Sequence, residues 1–112
     1  MENIYTCDYK NGKITLFAEW EHETVAGNFD DADTVKWVLS EIAKDNLAAW
    51  FCCKVEFSVN DIVLGVEYLG ACSYESFEDF YKEENGYFSD MCETAYQNAI
   101  ETLTSIQNKL KV

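Results

Sequence analysis

The sequence predicts an α+β domain. Two β-hairpins form a mostly antiparallel four-stranded sheet, and three helices pack on its apolar face, in the order ββα-ββ-αα. Three observations predict it. Ile4–Trp20 and Phe51–Ala71 each alternate apolar and polar residues about a central turn signal. Two other stretches, from Asp31 to about Asn46 and from Ser89 onward, repeat apolar residues at helical spacing. Finally, 112 residues, 48% of them apolar and with no proline, suit one domain, residues 1–112, with a real core.

The first hairpin places Tyr5, Cys7 and Tyr9 on one arm and Ile14, Leu16 and Ala18 on the other. Asn11-Gly12 between them is the strongest short-range hairpin signal. A two-residue loop there sets Tyr9 opposite Ile14, Cys7 opposite Leu16 and Tyr5 opposite Ala18. Glu21–Phe29 follows as a connecting loop that turns at Gly27-Asn28.

Asp30 or Asp31 caps the next helix, and Asp31 and Asp33 suit its positive first turn. Its buried stripe is Val35, Val38, Leu39, Ile42 and Ala43, with Trp37 off the stripe as partial cover for a neighbour. In the second hairpin Phe51, Cys53, Val55, Phe57 and Val59 alternate on one arm, Ile62, Leu64, Val66 and Tyr68 on the other. A loop at Asn60-Asp61 sets Val59 against Ile62, Phe57 against Leu64, Val55 against Val66 and Cys53 against Tyr68.

Ser73 or Ser76 then caps a short helix, Phe77–Asn85, which Asn85-Gly86 ends. A last helix starts near Ser89. Met91, Cys92, Ala95, Tyr96, Ala99, Ile100, Leu103, Ile106 and Leu110 follow one of its faces.

Composition removes several function classes. No apolar run reaches the roughly 18–20 residues of a membrane span. The N-terminus MENIYTCDYK has neither the basic nor the apolar region of a secretory signal, so the cytoplasm is the expected location. Five cysteines (Cys7, Cys52, Cys53, Cys72, Cys92), with no C-x-x-C, read as reduced core residues. Catalysis has little to stand on. The single histidine, His22, lies between Glu21 and Glu23 in a loop, with no nucleophile elbow or phosphate loop elsewhere. Asp30-Asp31-Ala32-Asp33 lacks the glycine of a calcium loop, since the sixth residue from Asp31 is Lys36. No metal and no cofactor is expected.

The charge is anomalous. There are 21 acids against eight lysines and no arginine, a net of −13. Direct binding of nucleic acid is argued against. Two windows, Glu19–Asp33 and Glu75–Glu93, hold −6 each. In the expected short helix, Glu75–Asp79 and Asp79–Glu83 are like-charged pairs four apart, which oppose folding. Solubility alone does not require such concentration. A concentrated negative surface steers a basic partner. The aromatics Tyr74, Phe77, Phe80, Tyr81, Tyr87 and Phe88 are interleaved with the second window, and at least half are expected in the core. The expected partner-binding residues are Glu75, Glu78, Asp79, Glu83 and Glu84, helped by Glu21, Glu23, Asp30, Asp31 and Asp33.

A small, acidic, arginine-free chain with the segment SYESFEDFYKEENGYFSDM resembles the anti-CRISPR and anti-restriction proteins that phages and mobile elements encode as DNA mimics. The resemblance implies a protein inhibitor that occupies the basic groove of a nuclease or CRISPR effector and excludes its DNA. Two alternatives stay open: an immunity protein or antitoxin that neutralises a basic toxin, and a structural or oligomerising subunit.

Overall fold

A computed structural model describes Met1–Lys111. Its elements are β1 (Glu2–Tyr9), β2 (Gly12–Trp20), α1 (Ala32–Ala43), β3 (Phe51–Val59), β4 (Ile62–Cys72), α2 (Phe77–Tyr81) and α3 (Tyr87–Leu110), with a 3-10 turn at Leu47–Ala49. The class and element order are those the sequence predicts. The sheet is wholly antiparallel, in the order β1-β2-β3-β4.

Both hairpins depart from the expected register. The first turns at Lys10-Asn11, with Tyr9 opposite Gly12, Cys7 opposite Ile14 and Tyr5 opposite Leu16. Gly12 is committed elsewhere. A side-chain carbon there would collide with the Ser58 carbonyl and lie 2.7 Å from the Phe57 ring. The turn therefore falls one residue earlier, and Lys10 takes a positive φ of 53°. This moves the pairing by two residues, so the same apolar side chains still share a face.

In the second hairpin Asn60 and Asp61 both have positive φ, 51° and 64°, and Val59 pairs with Ile62 as expected. A bulge then intervenes. Phe57 faces Gly65 rather than Leu64, Val55 faces Glu67, and Cys53 faces Leu69. Val66 and Tyr68 consequently pair with Glu56 and Lys54, and Tyr68 is 66% exposed. The bulge brings Gly65 under α3, where a side-chain carbon would collide with the Ala95 carbonyl.

The main core joins Ile14, Leu16, Ala18, Phe51, Cys53, Val55 and Phe57 of the sheet to Phe80 of α2 and Phe88, Met91, Cys92, Ala95 and Ala99 of α3. Each fully buried Phe among them stabilises the fold by about 1.5–3 kcal/mol. Cys53, Cys72 and Cys92 are buried, Cys7 and Cys52 half-buried, and none is disulfide-bonded.

Helix α1 does not pack on the sheet face as expected. Because β2 and β3 are antiparallel neighbours with Trp20 opposite Phe51, the chain leaves and re-enters the sheet at one end. Everything between them stays at that end. There Val25, Val38 and Trp50 form a second small core with Phe29, Val35, Trp37 and Ile42. Leu39 and Ala43, expected in the stripe, are exposed. The helix stops at Ala43 rather than Asn46, since Asp45 takes a φ of 61°.

Helix α2 is shorter than expected. It is capped by Ser76, whose Oγ accepts from the Asp79 N–H, and it ends at Tyr81 with Lys82 as C-cap. Glu83 lies beyond it, so Asp79–Glu83 is not a helical pair and the expected like-charge strain is absent. The pair that forms at four-residue spacing is attractive, Glu78 with Lys82 at 3.2 Å. Asn85, with φ 56°, and Gly86 open α3, which begins at Tyr87 rather than near Ser89. The expected stripe of α3 is buried only as far as Ala99. Ile100, Leu103, Ile106 and Leu110 are exposed, because the helix outruns the sheet. The molecule measures 60 × 24 × 24 Å. No helix among the described residues is long and apolar enough to cross a membrane.

Candidate functional site

The topology brings the two acidic windows together. Phe51 pairs with both Trp20 and Cys72, so β2 and β4 finish at the same end of the sheet. The first window follows Trp20 and the second follows Cys72. Hydrogen bonds tie the start of the second segment to the stretch 46–48 that returns the chain to the sheet. The Tyr74 N–H donates to the Ala48 carbonyl at 2.8 Å, and Asn46 Nδ2 donates to the Glu75 carbonyl at 3.2 Å. Beside them runs an open groove of about 470 Å³, lined by Phe29, Thr34, Trp37, Ser73, Tyr74, Glu75 and Asp79. A second cleft of about 290 Å³ shares Phe29, Ser73 and Tyr74 and reaches Tyr87.

The ten expected binding residues fall into three sets. Glu75, Asp79, Glu83, Glu84, Glu23, Asp30 and Asp33 are exposed, and no cation pairs with them among the described residues. Glu78 is also exposed but is held by Lys82. Glu21 and Asp31 serve the fold. Asp31 Oδ1 accepts from the Asp33 N–H at 3.0 Å and its Oδ2 from Thr34 Oγ1 at 3.1 Å, which caps α1.

Glu21 reaches across to β4. Its Oε2 accepts from the Ala71 N–H at 2.7 Å, and its Oε1 from the N–H groups of His22 and Glu23. These bonds, the Ala71 one foremost, hold its carboxyl below the usual carboxylate range. A lowered folded value means stability that is present above the unfolded value, about pH 4.3, and lost as pH falls through the folded one. Glu21→Ala is therefore expected to cost about 1–2 kcal/mol at pH 7. The difference from wild type should shrink below about pH 4, as urea unfolding at pH 7 and pH 3 would show. An equal difference at both values would mean the carboxylate does not tie the strands.

The aromatics divide as follows. Phe80 and Phe88 are buried, while Tyr74, Phe77 and Tyr81 are partly buried against the core. Tyr87 is 63% exposed. Burial, with the nearby Glu83 charge second, pushes the Tyr74 hydroxyl up to about 12, so it stays a neutral donor beside the groove. Two groove residues escaped sequence reasoning in this role. Phe29 read as the end of a loop and Trp37 as cover. Only the return of the chain to one sheet end brings them together.

No family model, curated protein or solved structure matches this chain. What the site can do rests on its own chemistry. Among the described residues no group of three or more His, Cys, Asp or Glu side chains is arranged to hold a metal. Burial pushes the thiols of Cys7 and Cys52 upward and that of Cys92 to about 12, away from the reactive thiolate. His22 is exposed, and only its backbone N–H is engaged by Glu21. The end instead presents unpaired carboxylates around an aromatic-lined groove. That combination suits a binding surface with an apolar centre and a charged rim.

Proposed function

We infer that this protein is a non-catalytic, stoichiometric inhibitor. Its acidic end seats in the basic nucleic-acid groove of a nuclease, CRISPR effector or restriction complex and keeps nucleic acid out. One observation carries this reading: two windows of net −6, separate in sequence, start from the same end of the sheet, beside an aromatic groove lined by Glu75 and Asp79. Of the second window, Glu93 is drawn away, bound by the Tyr9 hydroxyl at 2.7 Å.

Acids supplied by two segments rather than one helix bear on a spacing problem. Acids four apart on one helix advance about 6 Å, whereas a DNA strand carries a phosphate about every 3.4 Å. Acids drawn from two segments at one end of the sheet would come closer to the denser spacing. The same physics serves an immunity protein against a basic toxin, and the partner's identity separates the two.

The test is capture from a host-cell lysate on the immobilised protein, with elution by rising salt and, separately, by duplex DNA. A DNA- or RNA-handling protein should elute between about 0.15 and 0.5 M salt, where screening shortens the reach of exposed charges, and duplex DNA should displace it. Retention of nothing but the chain itself at low salt would remove the inhibitor reading. A toxin insensitive to DNA competition would move it to the immunity branch.

A further inference from the structure

We propose that Cys72 is a site of peroxide modification: a hydroperoxide that enters the cleft beside Tyr74 oxidises its thiol, and Cys53 closes the product into a Cys53–Cys72 disulfide. The proposal stands independently of the inhibitor reading.

Strand register places the two thiols together. Cys72 pairs with Phe51, and residues opposite one another in a ladder point to the same face. Phe51 and Cys53 lie two apart on β3, so both face the core, where Cys72 joins them. Cys53 and Cys72 are therefore diagonal neighbours across the β3–β4 ladder. Such neighbours lie about 7–8 Å apart, whereas a disulfide spans roughly 4.4–6.8 Å between Cα atoms. Closing the bond takes a shift of about 1 Å at the end of β4. The ladder is already irregular there: a bulge falls between the Phe51 and Cys53 pairs, and Ala71 has a φ of 54°. Cys52 cannot stand in for Cys53. It points to the opposite face, where its Sγ lies 3.8 Å from Glu19 Oε1.

Access makes Cys72 the thiol that reacts first. It lines the cleft of about 290 Å³ with Phe29, Ser73, Tyr74 and Tyr87, and its Sγ lies 3.6 Å from the carbonyl of Gly70 on the cleft wall. It keeps 6% of its surface exposed, against 1% for Cys53. Hydrogen bonding by the Cys53 thiol holds that of Cys72 below the usual thiol range, against burial and the Glu21 charge, whereas Cys7, Cys52 and Cys92 are pushed up. The thiolate is the nucleophile. Charge selects the oxidant. Glu21 accepts from the Ala71 N–H at 2.7 Å beside the cleft, so an anionic disulfide such as oxidised glutathione is repelled and a small neutral hydroperoxide is not. With hydrogen peroxide, the Cys72 sulfur attacks one oxygen. The S–O bond forms, the O–O bond breaks, and the other oxygen leaves as water with the Cys72 thiol proton, giving a sulfenic acid. The Cys53 sulfur then attacks that of Cys72. The S–S bond forms as the S–O bond breaks, and the hydroxyl leaves with the Cys53 proton as a second water. Two thiols are oxidised and one peroxide is reduced.

The test treats the folded protein with a few-fold excess of hydrogen peroxide near neutral pH, blocks the remaining thiols with N-ethylmaleimide and digests with trypsin. Cleavage after the lysines separates Asp45–Lys54, which holds Cys52 and Cys53, from Val55–Lys82, which holds Cys72. The two peptides should appear linked, and dithiothreitol should release them. Cys52→Ser should keep the link. Cys53→Ala should lose it and leave Cys72 as a sulfenic acid that dimedone labels. Cys72→Ala should lose both the link and the label. Wild type alone reveals the link, so the test does not depend on how well the variants fold. A wild type without the link, a link that forms only in urea, or oxidation that reaches Cys7 or Cys92 before Cys72 would overturn the proposal. So would dimedone labelling undiminished by Cys72→Ala.

Discussion

Gly65→Val is expected to destabilise the fold by about 3 kcal/mol or more. The cost comes from where α3 lands. A side-chain carbon at position 65 would collide with the Ala95 carbonyl and lie 2.7 Å from the Ala99 amide nitrogen. Both obstacles are helix backbone, which cannot turn aside as a flexible side chain would. The helix would have to lift away from β4. Lifting it would loosen Met91, Cys92, Ala95 and Ala99 from Phe57, Val55 and Cys53, and break the 3.0 Å bond from Asn98 Nδ2 to the Val66 carbonyl. Urea unfolding would measure the loss as a lower midpoint. Val63→Thr, two residues away at a half-exposed position, should stay within about 0.5 kcal/mol of wild type. A Gly65→Val protein as stable as wild type would mean that the helix does not rest on β4 at this point.

Gly65 also shows where sequence reasoning reached its limit. Alternation in Phe51–Ala71 gives two strands and the turn between them, because period two and the left-handed tolerance of Asn and Asp are local properties. The register of their pairing is not local. A bulge two residues past the turn passed unseen, because its cause is a helix thirty residues downstream. Gly12 repeats the lesson. Read locally it is half of an Asn-Gly turn, but contact with Ser58 and Phe57 of β3 claims it. Helix α3 was legible in extent because its stripe is long. The point at which the sheet stops covering that stripe depends on strand length and direction, which the helix sequence does not contain. The acidic site was legible as residues but not as a place. Charge counting finds both windows, whereas their meeting follows from the shared pairing of Trp20 and Cys72 with Phe51. Counting also treats every carboxylate alike. It cannot tell Glu75, which faces solvent, from Glu21, whose oxygens are occupied by three backbone N–H groups.

That distinction sets the second large effect. Replacing Glu75, Asp79, Glu83 and Glu84 together by Gln and Asn is expected to weaken partner binding roughly 30- to 1000-fold, about 0.5–1 kcal/mol for each charge, while the fold persists. All four carboxylates are exposed and unpaired among the described residues, so their removal leaves no partner group stranded. Asp79 contributes its backbone N–H, not its carboxylate, to the Ser76 cap, so Asn there keeps α2 intact. Glu21 and Asp31 are left alone, because changing them would confound binding with folding. Glu78 is left because its loss would free Lys82 and add a second change of charge. Surface plasmon resonance at two salt concentrations should assign most of the loss to a slower association rate and show a flatter salt dependence. A companion variant, Asp8→Asn, Asp61→Asn and Glu101→Gln, removes nearly as much charge from exposed positions away from the groove. If the acidic end is the binding surface, that variant should lie within about threefold of wild type, since charges beyond a Debye length are largely screened. Equal losses in the two variants would mean that net charge alone drives association and that the groove is not the site. A fully active quadruple variant would remove these carboxylates from the interface and direct attention to the aromatic groove between them.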